Sequence, residues 1–143
     1  MKLADSIKED QVTTIVTGKL GEAVAAHYLE KQGLEVIEMN YQKTFGEIDI
    51  VARERDLIHF VEVKTVSHET IELLKQAVSR ETWRPEEQVH QRKLHQISKA
   101  IQAWISEHSY TGNIQIDVLA LRIVPRETFC SINWLQNVII DES

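Results

Sequence analysis

The sequence predicts an α/β fold of the mixed α+β kind, a central mixed β-sheet flanked by helices. Three observations predict it. Two segments repeat apolar residues at helical spacing, and several short β-branched runs alternate with them. The order of these segments, one helix, three strands, a helix and two strands, suits a sheet covered by helices. At 143 residues, with no repeat or Pro/Gly-rich linker, the chain reads as one domain spanning residues 1–143.

From Gly18 to Lys31 the positions Leu20, Val24 and Tyr28 or His27 recur at helical spacing, and Gly33 sits where a helix end favours positive φ. Residues 1–14 are polar and read as a flexible arm or an extra helical turn. Leu34 to Met39 reads as a strand and Asn40 to Phe45 as the turn after it. Gly46 to Arg53 and Leu57 to Val66 follow as strands, and the short polar link Glu54-Arg55-Asp56 favours an antiparallel hairpin. Residues 67–85 show weak periodicity and read as a long loop holding at most one helical turn. Glu86 to Ser109 is helical, with Leu94, Ile97, Ile101 and Trp104 or Ile105 on one stripe. Asn113 to Val124 and Ser131 to Ile140 complete the sheet.

Composition narrows the class. The formal charge of −6 disfavours a protein that coats nucleic acid non-specifically, which needs Lys and Arg for phosphate contacts. No apolar run reaches the ~18 residues of a membrane span. A lone cysteine, Cys130, excludes an internal disulfide and a thiolate zinc site, and no signal-peptide order begins the chain. A cytoplasmic protein without membrane contact is the expectation.

The candidate chemistry lies where acids interrupt apolar strands. Asp49 stands between Ile48 and Ile50, and Glu62 between Val61 and Val63, with Lys64 two positions on. Charged residues are seldom buried unless paired or metal-bound. Alternation puts Glu62 and Lys64 on one strand face, about 6.6 Å apart. A hairpin register that opposed Asp49 to Glu62 would bring the carboxylates within about 5 Å, and a divalent cation would relieve their repulsion. Mg²⁺ or Mn²⁺ suits oxygen ligands such as Asp49, Glu62 and the Val63 carbonyl. Such an ion acidifies water and stabilises charge on a phosphate. Lys64 would orient the water, help deprotonate it or neutralise the transition state. A purely structural ion pair on a half-exposed sheet face is the other reading of the same three residues.

The blocks Gly18-x-x-Gly21-Glu22, Gly46-Glu47-Ile48-Asp49-Ile50 and Phe60-Val61-Glu62-Val63-Lys64-Thr65 carry a resemblance. They resemble the YraN-type family of predicted endonucleases, which is distantly similar to archaeal Holliday junction resolvases within the PD-(D/E)xK, restriction-endonuclease-like superfamily. The resemblance runs from about Thr17 to Arg122 and includes Asn40-Tyr41 and Ile116-Asp117-Val118. It implies a restriction-endonuclease-like core, a metal-dependent nuclease acting on DNA phosphodiesters, branched or single-stranded DNA among them, and Asp49, Glu62 and Lys64 as its catalytic set. It also implies Glu22 of the first helix beside the site, where Gly18 and Gly21 would let helix and sheet approach. Exposed Glu22 favoured by the helix dipole is the plainer alternative. Glu47 fits a supporting role or a partner for a base as well as it fits metal binding.

Two positions depart from the family pattern. Gln42 follows Asn40-Tyr41 where a base is common, and Val66 stands two positions after Lys64 where another is common. Arg84, Gln91, Arg92 and Lys93 at the start of the second predicted helix offer replacement contacts to a nucleic-acid backbone, and Trp83 would stack on an unpaired base. A solvated helix start and a core tryptophan explain the same residues without function. Asp117 reads as a buried partner for Lys93 or Arg92. His27, His59, His68 and His108 show no ligand spacing and read as surface or packing residues. His90 and His95 miss the i, i+4 spacing of a zinc helix. Trp104 and Trp134 read as core residues, and Cys130 has no base beside it in sequence. A non-cleaving nucleic-acid-binding or assembly module, and a hydrolase of small phosphate esters, are the competing functions. A homodimer paired through the strand from Trp134 to Ile140 would suit a two-fold symmetric junction.

Overall fold

The computed structural model describes residues 14–80, 91–127 and 129–138. The elements are α1 (Thr14–Lys31), β1 (Glu35–Lys43), β2 (Gly46–Glu54), β3 (Leu57–Ser67), α2 (Ile71–Arg80), α3 (Gln91–Glu107), β4 (Asn113–Val124) and β5 (Phe129–Leu135), with a 3-10 turn at Pro125–Glu127. The five strands lie in sequence order. All neighbours are antiparallel except β3 and β4, whose parallel pairing requires the crossover through α2 and α3.

Helix α1 ends as its sequence dictates. Gly33 adopts φ 98°, Leu34 N–H donates to Leu29 O at 3.1 Å, and Gly33 N–H donates to Glu30 O at 3.0 Å. These two bonds form a Schellman cap, closed by the buried Leu34. One sheet face packs Ile50, Ala52, Val61, Leu119 and Leu121 against Leu20, Val24 and Leu29 of α1. The other packs Ile48, Val51, Ile58 and Phe60 against Leu94, Ile97, Ile101 and Trp104 of α3. Trp104 is therefore core, and Trp134 is partly buried against the α1 side.

Helix α1 starts at Thr14 rather than Gly18. Helix α3 ends at Glu107 rather than Ser109, and its expected start at 86–90 lies outside the described residues. Three further regions differ from the sequence expectation. Strand β1 continues through Asn40 to Lys43, leaving only Thr44 and Phe45 as the turn, because Lys43 pairs with Gly46 and the buried Tyr41 pairs with Ile48. The expected loop at 67–85 contains helix α2, whose first turn is held by Thr70 Oγ1 accepting from Leu73 N–H at 3.1 Å. Strand β5 runs from Phe129 to Leu135, not from Ser131 to Ile140: after Leu135 the chain turns at Asn137 (φ 56°) and Val138 N–H donates to Ile116 O at 2.7 Å. The expected arm at 1–14 lies outside the described residues except for Thr14.

Candidate active site

The site forms where strand pairing fails. The β1–β2 ladder passes from Met39↔Ile50 to Tyr41↔Ile48 without pairing Asn40 and Asp49, and Asn40 adopts φ 55°. The β2–β3 ladder ends at Ile50↔Val61, one step short of opposing Asp49 to Glu62. Beyond that point Ile48 and Ile50 pack on opposite sheet faces, so β2 twists at Asp49. The Asp49 carboxylate fills the opening and accepts the orphaned Val63 N–H at Oδ2, 2.8 Å away. A strand residue directs its N–H and C=O toward the same antiparallel neighbour. The Val63 carbonyl, the expected ligand, therefore faces this opening as well.

Glu62 projects to the α3 side of β3, since its neighbours Val61 and Val63 pack on the α1 side. Strand alternation sends Lys64 the same way, half-buried. Asp49 and Glu62 are 6% and 5% exposed. Lys93 Nζ approaches Glu62 Oε1 at 3.5 Å, while Glu62 Oε2 is buried with no hydrogen-bond partner. Burial and the adjacent Asp49 charge push the Glu62 carboxyl up to about 8, against the pull of Lys93. Asp49 is likewise raised by burial, only partly offset by the Val63 N–H.

Glu22 stands at the opposite flank, raised by burial first and then by the charge of Asp49. It reaches the site because α1 lies close to β3. A Cβ on Gly21 would sit 1.9 Å from Thr65 Oγ1, so only glycine permits this approach. Gly18, expected to help, has nothing within 4 Å of its Cβ direction. Glu47 accepts from Gln42 Nε2 at 3.2 Å, an amide partner rather than a base. The Glu22, Ala23, Asn40 and Glu47 side of the site opens into a cleft of about 620 Å³ that Lys19 also lines.

The oxygen-rich pair fits a hard divalent cation. Two carboxyls that resist joint ionisation, an unpartnered Oε2 and a backbone carbonyl facing the same opening are what Mg²⁺ or Mn²⁺ accepts alongside water. Among the described residues no group of three or more His, Cys, Asp or Glu side chains is arranged to hold a metal. Glu22 thus adds charge to Asp49 without completing a third acidic ligand.

Asp117 is not the partner of Lys93. It is fully buried on β4 and receives Trp134 Nε1 at 3.0 Å, Asn137 N–H at 2.9 Å and Gln115 Nε2 at 2.9 Å, with His59 Nδ1 at 2.7 Å. His59, expected to be ordinary, is 1% exposed and belongs to this network. The parallel register places His59 beside Gln115, two residues from Asp117, a proximity invisible along the chain. Arg84 and Trp83 lie outside the described residues. Gln91 and Arg92 open α3, and nothing is described of their side chains. Of the expected nucleic-acid contacts, Lys93 alone is placed at the site.

A five-stranded mixed sheet between helices, with two acids meeting at a gap between antiparallel strands, defines a restriction-endonuclease-like α/β core. The sequence profile of the Uncharacterised protein family UPF0102 matches residues 21–121. The chain belongs to this UPF0102 (YraN) family. It is similar to a UPF0102 protein of Campylobacter fetus subsp. fetus, 38% identical over 106 residues, which cover 73% of this chain and 81% of the relative. A UPF0102 protein of Trichlorobacter lovleyi is 42% identical over 106 residues, covering 73% and 75%. One from Campylobacter jejuni subsp. jejuni is 30% identical over 111 residues, covering 78% and 88%.

Proposed function

We propose that the protein is a metal-dependent nuclease that hydrolyses DNA phosphodiester bonds, with Asp49, Glu62, Lys64 and Glu22 as its catalytic residues. The observation that carries this reading is the pair of nearly inaccessible acids at a gap in the sheet, one with an oxygen left without a partner. A fold does not maintain that arrangement for stability, because each unsatisfied buried polar group costs about 1–3 kcal/mol. Asp49, Glu62 and the Val63 carbonyl would hold Mg²⁺ or Mn²⁺. When bound, that ion would activate water and stabilise charge developing on the phosphate. Asp49 is oriented for its role by the Val63 N–H. Lys64, on the face of Glu62, would supply a positive charge to the phosphate in the transition state. Glu22 would accept a proton from the attacking water. The protein would act on DNA in the cytoplasm, and a symmetric junction would engage two copies.

Incubation with branched, single-stranded and duplex DNA plus Mn²⁺ tests the proposal. Cleavage by the wild type that Asp49→Ala abolishes is the expected result. Equal cleavage by both proteins would mark a contaminant and sink the reading.

One observation favours a second reading, a nucleic-acid-binding module that does not cut. Lys93 Nζ stands 3.5 Å from Glu62 Oε1, the placement of a structural ion pair. Binding of DNA in EDTA, without cleavage under any divalent ion, would establish it. No described helix is long and apolar enough to cross a membrane, so neither reading involves a helical span.

A further inference from the structure

The turn joining β1 and β2 carries an unexpected residue. Tight hairpin turns favour Gly, Asn and Asp, yet this one is Thr44-Phe45, with Phe45 43% exposed. The turn is seated firmly on α3. A Cβ on Gly46 would lie 2.3 Å from the Gln96 backbone oxygen, so only glycine lets the hairpin tip approach the helix so closely. Between tip and helix lies an open cleft of about 360 Å³ lined by Phe45, Gln42, Lys43, Lys93, Gln96 and Ile97. Lys93 belongs to both places, since its Nζ also meets Glu62 Oε1. Lys93 thus stands between the cleft and the acid pair.

We infer that this cleft binds an unpaired nucleotide base, stacked on the ring of Phe45, next to the backbone position that Glu62 and Lys93 address. The inference rests on the nuclease reading for the identity of its strand and names the substrate class, DNA with an unpaired segment at the cut. The chemistry is specific. An exposed aromatic ring on a rigid turn offers a stacking face to any base, whereas a base inside a duplex already has neighbours on both faces. The lining adds hydrogen-bonding amide groups at Gln42 and Gln96 and a cationic Lys93 for a flanking phosphate, with Glu47 as the one acid of the lining. Lys43 is held in place by Glu107, which fixes its stem beside the turn.

The test measures binding, not cutting. The full chain is titrated with a fluorescein-labelled single-stranded oligonucleotide and with the matched duplex, in EDTA and in Ca²⁺. Phe45→Ala and Phe45→Leu should each weaken single-strand binding about five- to a hundredfold, the span that loss of one base–aromatic stack covers. Duplex binding should stay within about twofold, and Phe45→Tyr should restore single-strand affinity, because it keeps the ring. Unchanged thermal melting of the variants shows that folding is intact. The inference is overturned if wild type binds no single strand, if Phe45→Ala leaves that affinity unaltered, or if single-strand and duplex binding fall equally. Ring-dependent single-strand binding by a protein that cuts nothing sustains the stacking site and removes the nuclease reading alone. Cleavage that persists beside Phe45-independent binding does the reverse.

Discussion

Asp117 and the Asp49–Glu62 pair lie within one sheet, on adjoining strands, and all three acids are nearly closed to solvent. Their surroundings differ in kind. Burial pushes Asp117 up, but bonds from His59, the Asn137 N–H and Gln115 outweigh it and hold the carboxyl below its ordinary range. At the other site burial prevails. Asp49 has one backbone donor and a hydrogen bond shared with the Glu62 carboxyl, Glu62 has otherwise only a more distant lysine, and both are raised. A saturated acid fixes structure: Asp117 ties β3, β4, β5 and the turn after β5 together through four partners. An acid left short of partners reserves its binding capacity for something else. Burial alone distinguishes nothing; the donor count does.

The comparison breaks most sharply under alanine substitution. Asp49→Ala and Glu62→Ala should each lower metal-dependent cleavage at least about a hundredfold, the scale of losing one electrostatic catalytic group. Glu62→Ala should not lower stability in EDTA, as urea unfolding would register, and Asp49→Ala should lower it by no more than about 1 kcal/mol, the loss of the Val63 N–H bond. Asp117→Ala should behave in the opposite way. It strands His59, Gln115 and Trp134 in the interior and should cost about 3 kcal/mol in urea unfolding, with activity falling only as the folded fraction falls. If Asp117→Ala were as stable as wild type while Asp49→Ala unfolded, the contrast between the two regions would be refuted.

Much of this site is legible in the sequence, for a physical reason. Asp49 and Glu62 each interrupt a β-branched run, and a charge among such neighbours must be either paired or functional. Gly33 and the α1 stripe are legible because caps and helical periodicity are local. What stays hidden is non-local or irregular. Helix α2 is the exception: Ile71, Leu74 and Val78 fall at i, i+3 and i+7, a helical stripe that the sequence does show, although of these only Leu74 is buried. Asn40 to Lys43 reads as a turn because only Tyr41 among those four residues is buried, so a strand edge looks polar there. The chain points Asp117 to the wrong partner because the β3–β4 register, which no spacing reveals, brings His59 to it. Phe45 is silent in the sequence because a turn aromatic gains meaning only from the cleft beside it.

A gentler probe is pH. Glu62 titrates near 8 in the folded, metal-free protein and near its ordinary 4.5 when unfolded. Between those values the folded state holds a proton that the unfolded state has lost, so unfolding becomes easier as pH rises. The stabilising share is complete below about 4.5 and gone above about 8. Melting in EDTA should therefore weaken across that window, on the order of 1–2 kcal/mol once water enters the ionising pair. Glu62→Gln, which cannot titrate, should flatten the profile. Mn²⁺ should oppose the loss at the alkaline end, because binding requires the ionised carboxylates and releases protons. A profile that Glu62→Gln leaves unchanged would place the titrating proton elsewhere.

The smallest expected effect separates a lysine that serves the site from one that merely decorates it. Lys93 is substantially exposed and its nitrogen stands 3.5 Å from Glu62 Oε1, so the pair itself contributes no more than ~1 kcal/mol. Lys93→Met should leave melting at pH 5 nearly unchanged, since Glu62 is then protonated and has no charge to pair. At higher pH the variant loses the cation that eases Glu62 ionisation, so the Glu62 transition should move to still higher pH. Apparent Mn²⁺ affinity near neutral pH should weaken, because more work is needed to remove the proton, although losing the lysine's charge repulsion acts in the opposite direction. The melting profile is free of that opposition and decides the matter. If the transition stayed where it is in wild type, Lys93 would have no electrostatic hold on the acid pair, and its place at the mouth of the Phe45 cleft would have to be explained by contact with the nucleic-acid backbone alone.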